Sequence, residues 1–189
     1  MINQIKILSD SISTMMETSK CTSSGTVMTE SQLCVVNFDD VKKSYIKKLS
    51  VPEMPKSSDA LFTDKKGGMY LIEFKNGVMD TEKIYAVRLK IFDSLLILTD
   101  ILEKGVSTTR QSLNYILVYN ENKNPLKKEN DEVQNSKSKR QIKKHYLAKG
   151  KKRLIEWSLA RFEGLYFKNV YTITKDEFQS DFVNKWEAI

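Results

Sequence analysis

The chain has 189 residues, of which 40% are hydrophobic and 29% charged, a size and composition typical of one globular domain. No apolar run approaches the roughly 18 residues that a membrane span requires, so we expect no membrane partner. Lys and Arg number 31 against 24 Asp and Glu, and the resulting net charge of +7 favours polyanions such as nucleic acid as partners.

Histidine and cysteine are scarce in this chain. With one histidine, His145, and two cysteines, Cys21 and Cys34, the chain cannot build a Cys/His zinc site, and every histidine-based catalytic triad would need the same residue. Any chemistry must therefore depend mainly on carboxylates and lysines. Two cysteines without a recognisable secretory leader indicate reduced thiols, and we expect a cytoplasmic protein.

The N-terminal part of the chain has weak secondary-structure signals. Residues 1–32 are rich in Ser, Thr and Met, and their weak apolar period predicts a short helix followed by a loop. An apolar run follows over 33–38. Apolar residues spaced three or four apart over 39–49 then predict a helix of about 12 residues that begins near Asn37 or Asp39.

Residues 57–77, which read SSDALFTDKKGGMYLIEFKNG, predict a β-hairpin, because Gly67 and Gly68 supply the positive φ angles of a tight turn. Apolar residues at every third or fourth position over 84–102 predict an amphipathic helix of about 20 residues. A buried strand is predicted over 114–120. A long helix between two strands indicates a parallel crossover, and hence an α/β fold with a sheet covered on both faces.

A lysine-rich segment occupies residues 120–153. It carries twelve Lys and Arg against four Asp and Glu, a net charge of +8, whereas the rest of the chain has a net charge of −1. Two interpretations remain open: a solvated insertion, or a clamp on the phosphates of nucleic acid. Beyond it we predict a helix over 154–165, a short strand over 170–174 and a closing helix over 177–186.

From these elements we expect residues 1–189 to form a single domain. Residues 1–32 form its N-terminal helix and loop, 33–120 its core, 121–153 a lysine-rich insertion, and 154–189 a C-terminal helix, strand and helix that complete the sheet.

Three residues of the hairpin form a constellation that suits metal chemistry. Asp59 opens the first strand, and Glu73 and Lys75 share one face of the second, so strand pairing brings Asp59 close to Glu73. Carboxylates bind Mg²⁺, which takes phosphate oxygens and waters as its other ligands, and a nearby lysine suits phosphodiester hydrolysis. The alternative is a structural salt-bridge cluster.

The spacing of Glu73 and Lys75 carries little weight by itself, because an acidic residue stands two positions before a lysine at four places in the chain. The context of this pair is what separates it from the other three. It lies inside an apolar strand, where charged groups are rarely buried without partners.

Residues 59–75 resemble the PD-(D/E)XK signature of the restriction endonuclease-like nuclease superfamily, in which an Asp begins one strand, Glu-x-Lys lies on the next, and a helix and a further strand follow. The words SSDALF and YLIEFKNG are also similar to uncharacterised bacterial members of that superfamily. The resemblance implies a restriction endonuclease-like core, with a mixed central sheet flanked by helices, and Mg²⁺ or Mn²⁺ as cofactor. Two features differ from the usual pattern: Ser58 rather than Pro precedes Asp59, and residues 49–58 leave little room for the strand that commonly follows the first helix.

The resemblance also implies roles for single residues. Asp59 and Glu73 would be metal ligands, the Phe74 carbonyl a third ligand, and Lys75 the catalytic lysine. The superfamily often adds an acid from the preceding helix. Asp39 and Asp40 are the candidates here, and we favour Asp40; ordinary helix N-terminal acids are the alternative.

Nucleic-acid contacts are expected from two regions. On the long helix, Arg88 and Lys90 would reach phosphates beside the metal, unless they are ordinary exposed charges. In the lysine-rich segment, the candidates are Arg140, Lys143, Lys144, Lys151 and Lys152.

The sequence therefore predicts a Mg²⁺-dependent nuclease acting on DNA or RNA. The first alternative is a catalytically silent module of the same fold that binds nucleic acid or a protein partner through the lysine-rich segment. The second is an α/β interaction protein with no role in nucleic-acid binding. The sequence leaves a homodimer open.

Overall fold

The computed structural model describes residues 5–22, 24–47, 49–125 and 155–188. In these residues a six-stranded sheet has its strands in chain order from one edge to the other. Its strands are β1 (Ile12–Thr14), β2 (Cys34–Asn37), β3 (Ala60–Thr63), β4 (Met69–Lys75), β5 (Leu113–Tyr119) and β6 (Asn169–Thr174). Neighbours from β1 to β4 are antiparallel, and β4, β5 and β6 are parallel, so the sheet is mixed.

Short helices flank one long one. The helices are α1 (Lys6–Ser9), α2 (Met15–Thr18), α3 (Phe38–Ile46), α4 (Thr81–Ile101), α5 (Val106–Ser112) and a 3-10 helix over Leu159–Phe162. A closing helical run, α6, consists of Lys175–Phe178, a π-helical turn over Gln179–Val183, and Asn184–Glu187. Among the described residues, no helix is long and apolar enough to cross a membrane.

The two faces of the sheet carry separate apolar cores. One face, with Leu71 and Leu117, belongs to a core that includes Val87 and Ile91 of α4. The opposite face, with Ile72, Phe74 and Ile116, belongs to a core with the apolar side chains of α6. The protein is therefore a mixed α/β fold in which helices cover both faces, as the sequence predicts.

The hairpin and the crossover are confirmed. Strands β3 and β4 pair as an antiparallel hairpin whose turn contains Gly67 at a φ of +82°, a conformation that glycine adopts without steric penalty. The Asp64 carboxylate accepts the N–H groups of Lys66 and Gly68 and closes that turn. Helix α4 connects β4 to the parallel strand β5. The N-cap of α3 is Asn37, whose side chain accepts the N–H of Asp39.

Three elements, β1, α2 and α5, differ from the expectation. Residues 1–32, expected as a helix and a loop, also contain the edge strand β1 and a second short helix, α2. The third unexpected element, helix α5, lies between α4 and β5. Strand β1 has three residues and little alternation of burial, so its pairing with β2 determines its conformation more than its own sequence does.

The helix predicted over 154–165 is wrong for the part of it that the structure describes, residues 155–165. Trp157 and Ser158 have φ angles of 53° and 58°, in the left-handed region, and a helix cannot continue through such residues. A single 3-10 turn over Leu159–Phe162 follows. The apolar spacing that suggests a helix here instead places Leu159 and Phe162 in the core beneath α4.

The C-terminal strand and closing helix are confirmed, with α6 beginning two residues earlier than expected. Thr174 and Glu177 form a capping box at its start. Of the lysine-rich insertion, 121–153, the structure describes only 121–125, so the prediction for its remainder, 126–153, lies outside the described residues.

The packing of β4 against α4 leads to a prediction about stability. We expect Leu71→Ala to lower the free energy of unfolding by about 2 to 5 kcal/mol, because Leu71 is fully buried between the sheet and α4. The matched control is Leu96→Ala, at an exposed position of α4, which we expect to change it by less than about 0.5 kcal/mol. Urea unfolding followed by circular dichroism measures both, and equal losses would contradict this packing arrangement.

Candidate active site

Asp59 lies at the end of the sheet, directly before β3. Its backbone N–H donates to the carbonyl of Ile72 at 3.0 Å, and its carbonyl accepts the N–H of Phe38 at 3.1 Å. Its carboxylate accepts the backbone N–H of Phe74 through Oδ2 at 2.7 Å. Hydrogen bonds to β4 and to the first residue of α3 therefore fix Asp59, and its carboxylate lies beside the C-terminal end of β4.

Glu73 is fully buried on the face of β4 that also carries Leu71. Its Oε1 lies 2.6 Å from the ammonium of Lys75 and 2.7 Å from that of Lys90. Its second oxygen, Oε2, is buried and has no hydrogen-bond partner among the described residues. One oxygen of the carboxylate thus makes both ion pairs, and the other is available to a further ligand.

Lys90 joins the two carboxylates. Its ammonium lies 3.0 Å from Asp59 Oδ1 and 2.7 Å from Glu73 Oε1, and its side chain is 20% exposed. One turn further along α4, the Ser94 hydroxyl accepts the N–H of Ser58 at 2.8 Å and ties the helix to the segment before β3. Lys90 and Ser94 share this face of α4 because they stand four residues apart.

The cluster alters the proton affinities of its members. Burial and the neighbouring charge of Glu73 raise the pKa of Asp59 to about 6. Burial disfavours the charged form of Lys90, but the carboxylates of Glu73 and Asp59 more than offset it and hold its pKa above the usual value. Burial and the same two carboxylates raise the pKa of the Tyr115 hydroxyl, which is fully buried beneath the cluster.

The acids of α3 occupy different environments. Asp40, favoured above as an additional metal ligand, pairs with Lys43 at 2.8 Å, and both side chains are exposed. Asp39 instead accepts hydrogen bonds from the Ser57 hydroxyl and from Lys42. Burial favours its neutral form, yet these hydrogen bonds and the charge of Lys90 keep its pKa below the usual value. The acid of α3 closer to the cluster is therefore Asp39.

The structure describes two of the seven residues that are expected to contact nucleic acid, Arg88 and Lys90. Lys90 lies within the carboxylate cluster rather than on the exposed face of α4. A guanidinium N–H of Arg88 donates to the carbonyl of Trp157 at 3.1 Å, so this side chain packs against the segment before the 3-10 helix. The remaining candidates, Arg140, Lys143, Lys144, Lys151 and Lys152, lie outside the described residues.

The site offers few ligands for a metal ion. In the part of the chain that the structure describes, no group of three His, Cys, Asp or Glu side chains is arranged to hold one. Asp59 and Glu73 form a pair, and Phe74 provides a backbone carbonyl on the same side of β4 as its N–H, which points toward Asp59. This oxygen set suits Mg²⁺ or Mn²⁺, since Mg²⁺ commonly uses one or two carboxylates and completes its shell with water and phosphate.

Two members of this site, Ser94 of α4 and Tyr115 of β5, lie outside the motif, and the environment of a third, Lys90, differs from the expectation. Lys90 was expected to contact phosphates, although it stands three residues after Val87 and next to Ile91, inside the apolar stripe of α4. A lysine in such a stripe indicates a buried acidic partner, and that signal was present in the sequence.

The charge balance of the cluster leads to a second prediction. We expect Lys90→Met to lower the free energy of unfolding by about 3 kcal/mol in EDTA at neutral pH, because it leaves two buried carboxylates with only Lys75 to compensate them. In the Glu73→Gln background the same substitution should cost clearly less. Urea unfolding of the four proteins measures this coupling, with the exposed Lys83→Met as control. Additive effects would show that Lys90 and Glu73 do not stabilise each other.

The chain was compared with protein-family models, with curated proteins and with solved structures, and none of the three comparisons returned a match. A functional proposal for this chain therefore depends on the geometry of the carboxylate cluster.

Proposed function

We propose that the protein is a divalent-metal-dependent nuclease that hydrolyses phosphodiester bonds of DNA or RNA. The observation that carries the proposal is the convergence of two carboxylates on one point: Asp59 and Glu73 both lie within 3.0 Å of the Lys90 ammonium, and Lys75 lies 2.6 Å from Glu73. Two acids and a lysine at the open end of a sheet are the groups that this chemistry needs.

The residues present suit a hard cation. Glu73 Oε2 is a buried oxygen without a partner among the described residues, and such an atom is costly unless a ligand or water satisfies it. Asp59, Glu73 and the Phe74 carbonyl would hold Mg²⁺ or Mn²⁺. When bound, the cation supplies Lewis acidity, which lowers the pKa of a water and offsets the charge of the phosphate group.

Asp59 and Lys75 would have separate roles at the site. Asp59 is fixed by the Phe74 N–H, so its position does not depend on the ligand. Lys75 lies at the end of β4 with 21% of its side chain exposed, within reach of both Glu73 and solvent. Its ammonium would orient the attacking water and stabilise the negative charge that develops on the phosphate oxygens.

The order of the core elements also supports the proposal. The PD-(D/E)XK pattern has an Asp strand, a Glu-x-Lys strand, a helix and a further strand, and β3, β4, α4 and β5 follow in that order here. The strand that commonly lies between the first helix and the Asp strand has no counterpart among the described residues between α3 and β3. Strand β2, which precedes α3, pairs with β3 instead. We propose a restriction endonuclease-like core with this altered beginning.

Cleavage assays test this function. We expect the wild-type protein to cleave single-stranded DNA, double-stranded DNA or RNA in Mg²⁺ or Mn²⁺ and not in EDTA. Asp59→Asn, Glu73→Gln and Lys75→Met should each reduce the rate by about 100-fold or more, since each removes a group that acts on the reacting phosphate or its metal.

Glu82→Gln and Lys83→Met are matched controls, because both residues are exposed on the first turn of α4. They should retain the wild-type rate. Metal-dependent cleavage that persists in all three cluster variants would contradict the assignment of Asp59, Glu73 and Lys75 as the active site and would indicate a contaminating nuclease.

One observation favours a second candidate, a catalytically silent module of the same architecture. Lys75 pairs with Glu73, and Lys90 pairs with both Asp59 and Glu73, so the cluster with both acids ionised is already neutral without a metal. Nucleic acid, or a protein partner, would then be bound through the lysine-rich segment, whose sequence carries a net charge of +8.

Binding measurements test this second candidate. It predicts nucleic-acid affinity that falls steeply with salt, persists in Glu73→Gln, and is lost when Lys143, Lys144, Lys151 and Lys152 are replaced by Gln. Fluorescence anisotropy with labelled oligonucleotides at 50 and 200 mM salt measures it. Cleavage by the wild type, lost in Glu73→Gln, would instead select the nuclease.

A further inference from the structure

We infer that the Lys90 ammonium and a divalent cation are alternative occupants of the Asp59–Glu73 pair, so that Lys90 controls access of the metal to the site. This inference rests on the proposed function in one respect, since both require that the carboxylate pair binds a metal. It adds a regulatory role for a residue of α4 that belongs to neither the hairpin nor the Glu-x-Lys pattern.

The position of the ammonium supports mutual exclusion. Lys90 Nζ lies 3.0 Å from Asp59 Oδ1 and 2.7 Å from Glu73 Oε1, and it is the group that touches both carboxylates. Lys75, in contrast, contacts Glu73. A cation that binds Asp59 Oδ1 and Glu73 Oε1 must occupy the space between these two oxygens, and that space contains the Lys90 ammonium.

Electrostatics lead to the same conclusion. Two carboxylates and two ammonium groups give the cluster a net charge of zero when Asp59 is ionised. A divalent cation added without the departure of Lys90 would leave two uncompensated positive charges at a site where Glu73 is fully buried. Like charges a few ångströms apart in a poorly solvated site repel strongly, so binding of the metal favours departure of the lysine.

Lys90 is better able to move than either of the carboxylates that it contacts. Asp59 is held by the backbone N–H of Phe74, and Glu73 has no exposed surface. Lys90 reaches the cluster through a flexible four-carbon stem and is 20% exposed. The Asp39 carboxylate, whose pKa is affected by the charge of Lys90, is 47% exposed and offers the displaced ammonium an acidic neighbour near solvent.

The first test uses the wild-type protein and requires no substitution. Brief acetylation followed by peptide mass spectrometry reports the reactivity of each lysine, with Lys83, exposed on the same helix, as the internal control. We expect saturating Mg²⁺ to raise the reactivity of Lys90 several-fold over that in EDTA and to leave Lys83 unchanged. Metal binding, detected by calorimetry, without a change at Lys90 would overturn the inference.

The second test measures affinity. We expect Lys90→Met to bind Mn²⁺ at least about tenfold more tightly than the wild type, because the competing charge is gone. Its thermal midpoint should also rise on addition of Mn²⁺ by more than that of the wild type. Lys90→Arg, which keeps the charge, and Lys83→Met, which removes an exposed charge, should bind no more tightly than the wild type. Unchanged or weaker binding by Lys90→Met would contradict the inference, and if this variant does not fold, Lys90→Gln replaces it.

These readouts separate the inference from the proposed function. Competition between Lys90 and metal in a protein that cleaves no nucleic acid would support the inference and reject the nuclease. Metal-dependent cleavage, with Lys90 equally reactive in Mg²⁺ and EDTA, would support the nuclease and reject the inference.

Discussion

A carboxylate without exposed surface needs cationic or hydrogen-bonding partners, and Glu73 imposes this requirement on one end of the sheet. Its two ammonium partners come from different elements: Lys75 from the same strand and Lys90 from α4. The helix therefore has to lie close enough to β4 for a lysine to reach the strand. Glu73, a single buried group, therefore influences three features of the structure: the placement of α4, the end of β3 and the charge state of Asp59.

The topology of the sheet provides the space for the cluster. Strand β3 pairs with β4 only as far as Ala60 opposite Ile72, while β4 continues along β5 to Lys75. The Phe74 N–H is thus left beyond the last pair of the hairpin, where Asp59 accepts it. The parallel pairing of β4 and β5 requires a crossover, and α4 makes it on the face that carries Glu73.

Local signals in the sequence were sufficient for the hairpin, for the long helix and for the proximity of Asp59 and Glu73, because turn glycines and strand alternation act over few residues. Local signals were insufficient where contacts between distant residues determine the local conformation. Strand β1 is stabilised by its pairing with β2. At Trp157 the backbone has a left-handed conformation that interrupts the predicted helix, and the local sequence contains no signal for it. The choice between Asp39 and Asp40 also depends on a distant residue, Ser57.

Stability alone is a poor explanation for the carboxylate cluster. Desolvation of paired charges consumes most of their attraction, and well-packed apolar residues often stabilise a protein as well or better. The cluster also leaves the buried Oε2 of Glu73 without a hydrogen-bond partner among the described residues, and such an atom destabilises the fold. A water molecule or cation bound to it would satisfy this oxygen. Glu73 Oε2 belongs to the carboxylate that pairs with Lys75 and Lys90, and a buried acceptor without a donor is the feature of the cluster that stability does not explain.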